Sequence, residues 1–335
     1  GGGPATLFLG LRDPASFLVS AFALQLSFGN EIVLSDYLGG RNPARLGWAG
    51  LVRRLAEIPE VARLVVWRYE DYASLRPQIL AALPLLRRIV IAGASRAAEL
   101  SLVVIHGPAG LDVAVRGGKP MDPALFQALA ALADEGDLAR LDWDGQAITR
   151  RAPALPMGRA HVVPPPGAFL QATAQGEAAL LAAVRDTVAG ASKVADLFAG
   201  CGTFTLPLAE QAAVHAVEGL AAPLSALDSA WRATSGLNRV TTEVRDLARR
   251  PLMPDELARF DAIVIDPPRA GAEAQAREIA RSTVRRIAFV SCDPVNFSRD
   301  AQLLADGGFV LKRLRVVDQF RWSPHVETVA EFVRT

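Results

Sequence analysis

Two side chains near the end of the chain have the types and positions of a covalent catalyst. Cys292 ends an apolar strand pattern in the segment VSCDP (290–294), and Glu327 lies beside another strand pattern in HVET (325–328). A thiolate is a strong nucleophile toward electron-poor carbon, so Cys292 is a candidate for covalent catalysis. A carboxylate at the same edge of a sheet could act as the general base for the same substrate.

Cys292 has one competitor as nucleophile. A lone cysteine is most often a buried, inert residue. Ser291 and Asp293 flank Cys292, and Pro294 follows. This sequence is typical of a loop at a functional edge rather than of a core. Cys201 also lies in a predicted loop and competes from position alone, although its place between two glycines indicates a packing role.

A second group of residues is typical of a nucleotide-type binding turn. The segment DLFAGCGTFT (196–205) follows a strand pattern, and Gly200 and Gly202 allow the backbone to turn tightly beside a ligand. Glu218 ends the next strand, where an acidic residue can hold ribose hydroxyls. The third glycine of the dinucleotide fingerprint is absent, because position 205 is threonine. A ligand with a ribose and no pyrophosphate, such as S-adenosylmethionine, therefore fits better than a dinucleotide.

Two further carboxylates follow predicted strands. Asp266 begins the rigid sequence DPPR (266–269) after the fourth strand of this region, and its two prolines would hold the carboxylate in a fixed direction. Asp246 follows the third strand and is equally compatible with a contact to an adenine amino group and with a solvated loop.

The elements that must position these residues form an alternating pattern after residue 164. Short apolar runs at 194–198, 213–217, 240–244, 262–265 and 287–290 are separated by segments that can form helices. Buried strands alternating with helices predict a doubly wound parallel sheet of the α/β class. The last two runs, 309–317 and 328–333, have no helix between them and predict an antiparallel closing pair at the sheet edge.

The pattern predicts three regions along the chain. Residues 1–45 show no clear period, and residues 46–163 form a smaller α+β domain. Hairpins are predicted around residues 107–110 and around Asp144-Gly145, with a helix over 123–133 between them. A helix is also predicted over 75–86. The proline run at 164–167 marks the start of the catalytic domain, 164–335.

Composition excludes several classes of protein. Two cysteines in 335 residues exclude a disulfide framework and a metal site built from cysteines, and four scattered histidines have no metal-ligand spacing. A reducing, cytoplasmic setting fits these residues. The uncharged run 15–30 is too short to cross a bilayer, so we expect no membrane partner. Only three of the 36 basic residues are lysines, and this arginine bias fits either genome composition or phosphate binding.

Four segments in this order resemble the RNA 5-methyluridine methyltransferases that act on bacterial ribosomal and transfer RNA. They are 196–205, 266–271, 291–294 and 325–328, and residues 169–171 (FLQ) match the family's Phe-x-Gln element. The resemblance implies a seven-stranded class I methyltransferase domain, Rossmann-like in topology, that is preceded by the smaller α+β domain. For that smaller domain, residues 46–163, it implies an RNA-binding role. It further implies S-adenosylmethionine as donor, a uridine of ribosomal or transfer RNA and not DNA as partner, and a cytoplasmic monomer.

The resemblance also implies a role for each site residue. Cys292 would be the nucleophile that adds to uracil C6, and Glu327 would be the base that removes the C5 proton. The methyl donor would be contacted by Gln171, Phe198, Thr203, Glu218, Asp246 and Asp266. We expect the RNA to be 23S ribosomal RNA. Arg269 and a cluster of Arg313, Arg315 and Arg321 are candidates for holding its phosphates.

The chain departs from the family in three respects. Thr203 stands where the family often has asparagine. Many members carry an iron–sulfur site of four cysteines, and this chain has no cysteine before position 201, so we expect no such cluster. Many also carry an N-terminal oligonucleotide-binding barrel, which is not visible here. The chain starts Gly-Gly-Gly without methionine, so truncation is one explanation and loss of the barrel is the other.

Four other functions share parts of this pattern. A transfer RNA uracil-5 methyltransferase would share every motif above. A cytosine-5 methyltransferase uses similar covalent chemistry but leaves Glu327 without a task. An amino-group methyltransferase usually has Asn-Pro-Pro with an aromatic residue where this chain has DPPR (266–269). A non-catalytic RNA-binding protein on a decayed fold would have no need for both Cys292 and Glu327.

Overall fold

The computed structural model describes residues 5–11, 61–68, 88–94, 99–317, 319 and 326–334. The predicted helix at 75–86, the uncharged run 15–30 and Arg321 lie outside these residues. The chain divides into two units, residues 1–84 and 85–335. In the first unit, the described strands β1 (Ala5–Leu11) and β2 (Val61–Arg68) pair in parallel.

The second unit begins with a sheet of five described strands. They pair in chain order, and each neighbouring pair is antiparallel except the third and fourth strands, which are parallel and are connected by a helix. The elements are β3 (Arg88–Ala94), β4 (Glu99–Gly107), β5 (Gly110–Arg116), α1 (Pro123–Glu135), β6 (Arg140–Trp143) and β7 (Gln146–Thr149). Both predicted hairpins and the helix are confirmed. Asp144 and Gly145 have φ of 48° and 90°, the left-handed pair of a tight hairpin turn.

A short hairpin follows and leads into the larger sheet. It consists of β8 (Leu155–Met157) and β9 (Ala160–Val162). The larger sheet then contains β10 (Lys193–Leu197), β11 (Ala213–Glu218), β12 (Val240–Val244), β13 (Ala262–Ile265), β14 (Arg286–Ser291), β15 (Val310–Val317) and β16 (Glu327–Val333). The strands alternate with α2 (Ala174–Val188), α3 (Thr205–Leu208), α4 (Ala221–Ala233), α5 (Pro254–Leu257), α6 (Glu273–Arg281) and α7 (Pro294–Asp306).

The order of the described strands in the larger sheet is β12-β11-β10-β13-β14-β16-β15. The strands from β12 to β14 are parallel, and β16 is antiparallel to both β14 and β15. This is the mixed seven-stranded α/β sheet that the resemblance implied, and the predicted antiparallel closing pair is confirmed. In this order β16 lies between β14 and β15, so β15 and β12 are the two edge strands of the sheet.

Alternate residues of the central strands enter different hydrophobic cores. Val194 and Val264 belong to one core cluster, whereas Ala195 and Ile263 belong to another, and all four are fully buried. Because successive side chains of a strand point to opposite faces, both faces of the sheet are covered. This explains why these strands are near-continuous apolar runs in the sequence. None of the helices in the described ranges is both long enough and apolar enough to cross a membrane.

The topology brings the predicted site residues to one edge of the sheet. The parallel strands β10, β11, β13 and β14 have their carboxyl ends at this edge, and they are followed by the segments that contain Phe198, Asp266 and Cys292. Because β16 is antiparallel to β14, Glu327 begins its strand at the same edge. Ligands of open α/β sheets bind at this edge.

Candidate active site

Cys292 and Glu327 are brought together by the pairing of β14 with β16. Ser291 is the cross-strand partner of Thr328, and the Thr328 hydroxyl donates a hydrogen bond of 3.1 Å to the Ser291 carbonyl. Cys292 follows Ser291 and Glu327 precedes Thr328, so the two side chains lie at the end of this ladder, where the Glu327 charge acts on the Cys292 thiol. The strand ends at Ser291, and helix α7 begins soon after it, because the Asp293 carboxylate accepts a hydrogen bond from the Asn296 amide and caps the helix.

The electrostatics of this pair are governed by burial among like charges. Glu327 is 3% exposed, and this burial raises the pKa of its carboxyl from 4.5 to about 7. Burial, followed by the charges of Glu327 and Asp266, raises the pKa of the Cys292 thiol. The Arg269 guanidinium opposes both shifts, since it lowers the pKa of each group. At neutral pH, Glu327 is therefore poised between its charged and neutral forms, and Cys292 rests as a thiol.

Asp266 is the third member of this acidic group. It follows β13, and its backbone amide donates to the Leu197 carbonyl at 3.2 Å. Burial, followed by the charges of Glu327 and Asp196, raises the pKa of Asp266 well above its usual value. The residue is half-buried, and its carboxylate lies 3.5 Å from the side-chain nitrogen of Gln171.

The loop that carries Asp266 and Arg269 is held by helix α7, directly after Cys292. Asn296 donates to the Arg269 carbonyl at 2.8 Å, and the fully buried Asp300 accepts from the Ala272 amide at 2.6 Å. Gly271 has φ of 80°, and a Cβ there would lie 2.7 Å from the Asp300 carboxylate. The nucleophile and the loop beside it are therefore fixed by the same helix. The sequence does not mark Asn296 and Asp300 as site residues, because no local motif indicates a contact between these two segments.

Two carboxylates, one in β10 and one at the end of β11, contact the turn after β10. Asp196 is fully buried, burial raises the pKa of its carboxyl to about 7, and the Thr205 hydroxyl donates to it at 2.5 Å. Glu218 accepts hydrogen bonds of 3.0 Å from the backbone amides of Gly200 and Leu220. These bonds fix the carboxylate at the rim of the turn and leave lone pairs for a ligand.

The backbone of this turn is left-handed at three positions. Phe198 has φ of 64°, Gly200 of 53° and Gly202 of 97°. A phenylalanine in this conformation is uncommon and costs about 1–3 kcal/mol, which is typical of functional turns. A Cβ at Gly202 would lie 2.9 Å from Leu227, so glycine is needed there for packing. A Cβ at Gly200 would enter open space, so this position faces a void beside Glu218 and not the core.

The remaining predicted donor contacts lie around the same edge. Gln171 is 3% exposed and lies 3.5 Å from the Asp266 carboxylate. Thr203 is partly buried within the turn itself. Asp246 follows β12 and is exposed, and its carboxylate accepts from the Ala248 amide at 3.0 Å. Gln171 thus contacts the acidic group, whereas Asp246 is exposed after the end of β12.

The two cysteines have different environments. Cys201 is 2% exposed and belongs to a hydrophobic core cluster, and burial raises the pKa of its thiol to about 12. Cys292 is partly exposed and adjoins Glu327. Burial suppresses thiolate formation and access, so this geometry favours Cys292 as nucleophile.

Two of the predicted phosphate-binding arginines lie on strand β15. Arg315 pairs with Asp186 at 2.7 Å, and Arg313 lies 3.7 Å from Glu331. Val317 is the β15 residue opposite Glu327, so Arg313 lies further along the strand, away from the catalytic edge. Arg269 is exposed beside Cys292. Within the described residues, no group of three or more histidine, cysteine or acidic side chains has a geometry suited to a metal ion.

The fold and the acidic edge define the class of protein. The second unit has the class I methyltransferase fold, and the family model described as tRNA (Uracil-5-)-methyltransferase matches residues 161–334. The chain belongs to this family.

Relatives of this chain include proteins described only as RNA methyltransferases. One from Rhizobium meliloti is 47% identical over 76% of this chain and 61% of its own length, and one from Caulobacter vibrioides is 44% identical over 98% and 78%. The 23S rRNA (uracil(1939)-C(5))-methyltransferase RlmD of Chromohalobacter salexigens is 40% identical over 50% of this chain and 35% of its own. The chain thus spans about three fifths of the length of several relatives that it matches.

A solved structure has a similar fold. The Pyrococcus abyssi tRNA (uracil-54, C5)-methyltransferase, in complex with S-adenosyl-L-homocysteine, aligns with a TM-score of 0.58 and 20% identity. The alignment covers 70% of this chain and 59% of that one.

Proposed function

We propose that this chain is an RNA methyltransferase that converts uridine to 5-methyluridine with S-adenosylmethionine as donor. The observation that carries the proposal is the proximity of a partly exposed cysteine, Cys292, to a buried carboxylate of raised pKa, Glu327, at the ligand-binding edge of a methyltransferase sheet. A nucleophile beside a general base is what uracil C5 chemistry requires. Membership of the uracil-5 family supports the same reaction.

The residues around the turn after β10 fit the methyl donor. S-adenosylmethionine carries a ribose and a cationic sulfonium group, and Glu218 and Asp266 present carboxylates to the same edge. The open space at Gly200 leaves room for a ligand beside Glu218. We propose that Gln171, Phe198, Thr203, Glu218, Asp246 and Asp266 contact the donor. When bound, it supplies an electrophilic methyl group and leaves as S-adenosylhomocysteine.

Cys292 opens the reaction by making uracil nucleophilic. Its thiolate forms a bond to C6, and the electron pair of the C5–C6 double bond moves to C5 and O4 as an enolate. The pKa of the free Cys292 thiol is raised, so thiolate formation requires positive charge nearby. The Arg269 guanidinium lowers the pKa of this thiol and supplies part of that charge. Uracil must leave its stack for C6 to reach Cys292.

Glu327 completes the reaction after C5 has taken the methyl group. C5 then carries both the methyl group and its original proton. The Glu327 carboxylate removes this proton, the electron pair restores the C5–C6 double bond, and the sulfur–C6 bond breaks to release Cys292 as thiolate. A pKa of about 7 suits this task, since a base of that pKa is partly ionised at neutral pH and binds the proton readily.

The substrate that we propose is 23S ribosomal RNA. The 40% identity to an RlmD protein described as acting on uracil 1939 of 23S rRNA supports this choice. The name of the matching family favours transfer RNA as the second candidate. We propose that residues 46–163 contribute to RNA binding, that residues 164–335 form the catalytic domain, and that the protein acts as a cytoplasmic monomer.

Incubation with 5-fluorouridine-substituted RNA and S-adenosylmethionine tests the reaction. Fluorine at C5 cannot be removed as a proton, so the enzyme should remain covalently attached to methylated RNA and migrate as a slow band on a denaturing gel. Ribosomal and transfer RNA transcripts should be compared in parallel. A Cys292→Ala control should give no band. Absence of the band with the wild-type protein and every RNA would contradict the proposed mechanism.

A further inference from the structure

Gln319 lies between the predicted base and the predicted donor pocket, although no motif in the sequence marks it. It follows strand β15 and is 5% exposed. Its side-chain nitrogen donates to Gln171 Oε1 at 2.7 Å and to Glu327 Oε1 at 3.3 Å. Its side-chain oxygen accepts from the Thr173 amide at 3.4 Å. One side chain therefore contacts both halves of the site.

The orientation of both glutamine amides follows from the carboxylates at the two ends of this chain of hydrogen bonds. The Thr173 backbone amide can only donate, so it fixes the oxygen of Gln319 on its own side, and the NH₂ group of Gln319 therefore faces Glu327, whose ionised carboxylate only accepts. The same NH₂ group faces the oxygen of Gln171, which turns the NH₂ group of Gln171 toward Asp266, 3.5 Å away. The chain runs from Glu327 through Gln319 and Gln171 to Asp266.

The fold makes space for Gln319 at the first turn of helix α2. Thr173 caps this helix by accepting from the Gly176 amide at 2.9 Å. A Cβ at Gly176 would lie 2.5 Å from Gln319 Oε1 and 2.9 Å from Gln319 Cβ. The second distance involves an atom near the backbone, so Gln319 could not avoid a larger residue at position 176 by turning its amide. The absence of a side chain at Gly176 permits this close contact.

We propose that Gln319 is a positioning residue of this site, whose amide orients the Glu327 carboxylate and the Gln171 side chain together. The inference rests on the proposed function of the site. Its consequence is that the geometry of the base and that of the donor pocket depend on one side chain outside every recognised motif.

Loss of the Gln319 amide should have two effects. A hydrogen bond to the ionised form of a carboxyl favours that form, so Glu327 should become harder to ionise. Gln171 would also lose the partner that fixes its amide. The charged or titratable groups that act on this part of the site are Asp266, Arg269 and Cys292, and all three remain in the variants described below.

Ionisation of Glu327 can be followed without any turnover through the reactivity of Cys292. The Glu327 charge raises the pKa of the Cys292 thiol, so the logarithm of the alkylation rate should rise less steeply with pH once Glu327 ionises. Iodoacetamide labelling of the Cys292 peptide, resolved by mass spectrometry, separates it from the buried Cys201. We call the pH at which the slope of this profile changes the break. The break should disappear in Glu327→Gln, and its disappearance would assign it to Glu327 and not to Asp266.

Gln319→Met keeps the length of the side chain and removes its hydrogen bonds. The break should move to higher pH by about 0.5–1 unit, the scale of losing one long, shared bond to a charged group. Gln275→Met is the matched control, because Gln275 is a fully buried glutamine in helix α6 that bonds the Leu252 backbone away from this site. It should leave the break unmoved. Gly176→Ala should move it in the same direction as Gln319→Met without removing the amide.

Binding of S-adenosylhomocysteine, measured by calorimetry, tests the donor side. Gln319→Met should weaken it about 3–10-fold, the scale of a lost hydrogen bond, and Gln275→Met should not. A break that stays at the wild-type pH in both Gln319→Met and Gly176→Ala would overturn the inference. If Gln319→Met does not fold, Gly176→Ala decides alone. Wild-type protein that makes no 5-methyluridine would overturn the proposed function instead, while the alkylation profiles would still decide the role of Gln319.

Discussion

The loops after β10 and β14 offer a comparison between two cysteines in similar topological positions. Each loop follows a parallel strand at the same edge of the sheet, and each contains one of the two cysteines. Cys201 is turned into a hydrophobic core between two left-handed glycines, whereas Cys292 stays partly exposed beside Glu327. The two environments show that topology brings a residue to the functional edge but that packing decides whether it can react.

Exchange of each cysteine for alanine should give the largest difference between the two loops. Cys292→Ala should abolish methyl transfer, by a factor on the order of 10⁴ or more, because no bond to C6 can form. Its affinity for S-adenosylhomocysteine should stay near the wild-type value. Cys201→Ala should keep substantial activity. Loss of turnover in a folded Cys201→Ala protein that still binds donor, together with an active Cys292→Ala protein, would assign the nucleophile to the other loop.

Glu327→Gln should separate addition and methyl transfer from the later removal of the C5 proton. The amide keeps the shape of the side chain and cannot take the C5 proton, so turnover should fall by about 10²–10⁴-fold. Addition and methyl transfer should still occur, and protein bound covalently to methylated RNA should accumulate. A denaturing gel with unmodified RNA and donor would show this species. Normal turnover without the adduct would mean that another group removes the proton.

Glu218→Ala should affect the donor loop and leave the nucleophile intact. Glu218 holds the amides of Gly200 and Leu220 and is the predicted ribose contact. Its loss should weaken binding of S-adenosylhomocysteine by about 1–3 kcal/mol, as expected for charge-assisted hydrogen bonds. Calorimetric titration measures this change, and alkylation of Cys292 serves as the control. An unchanged affinity would remove Glu218 from the donor pocket.

The smallest expected effect is on stability. Burial raises the pKa of Glu327 from 4.5 to about 7, so the folded protein holds this proton more tightly than the unfolded chain does. The free energy of unfolding should therefore fall as pH rises from about 4.5 through 7. Glu327→Gln removes this contribution and should gain about 1–2 kcal/mol relative to wild type between pH 5 and pH 8. Urea unfolding at both pH values measures it, and an equal difference at the two pH values would contradict it.

Most of the catalytic fold could be predicted because its strands are buried on both faces. Val240–Val244 and Ala262–Ile265 were predicted with the bounds that the structure has, and the neighbouring strands differ by one or two residues. Helix α7 was not predicted as an element, because its polar residues are used for capping and for holding the 269–272 loop. The roles of the site residues came from the family resemblance and stay predictions.

The sequence by itself determined which residues could do chemistry. It indicated the strand ends, the glycine turn, the acid after each strand and the two candidate cysteines, since each is a local pattern of residue types. Only the tertiary structure decided which of these residues are buried and which charges lie beside them. Burial raises the pKa values of Asp196, Asp266 and Glu327, and for Asp196 and Asp266 nearby carboxylates from other segments raise them further. The hydrogen bonds of Gln319 connect Gln171, 148 residues away in sequence, with Glu327. Such a connection exists only after the strands of the sheet have paired.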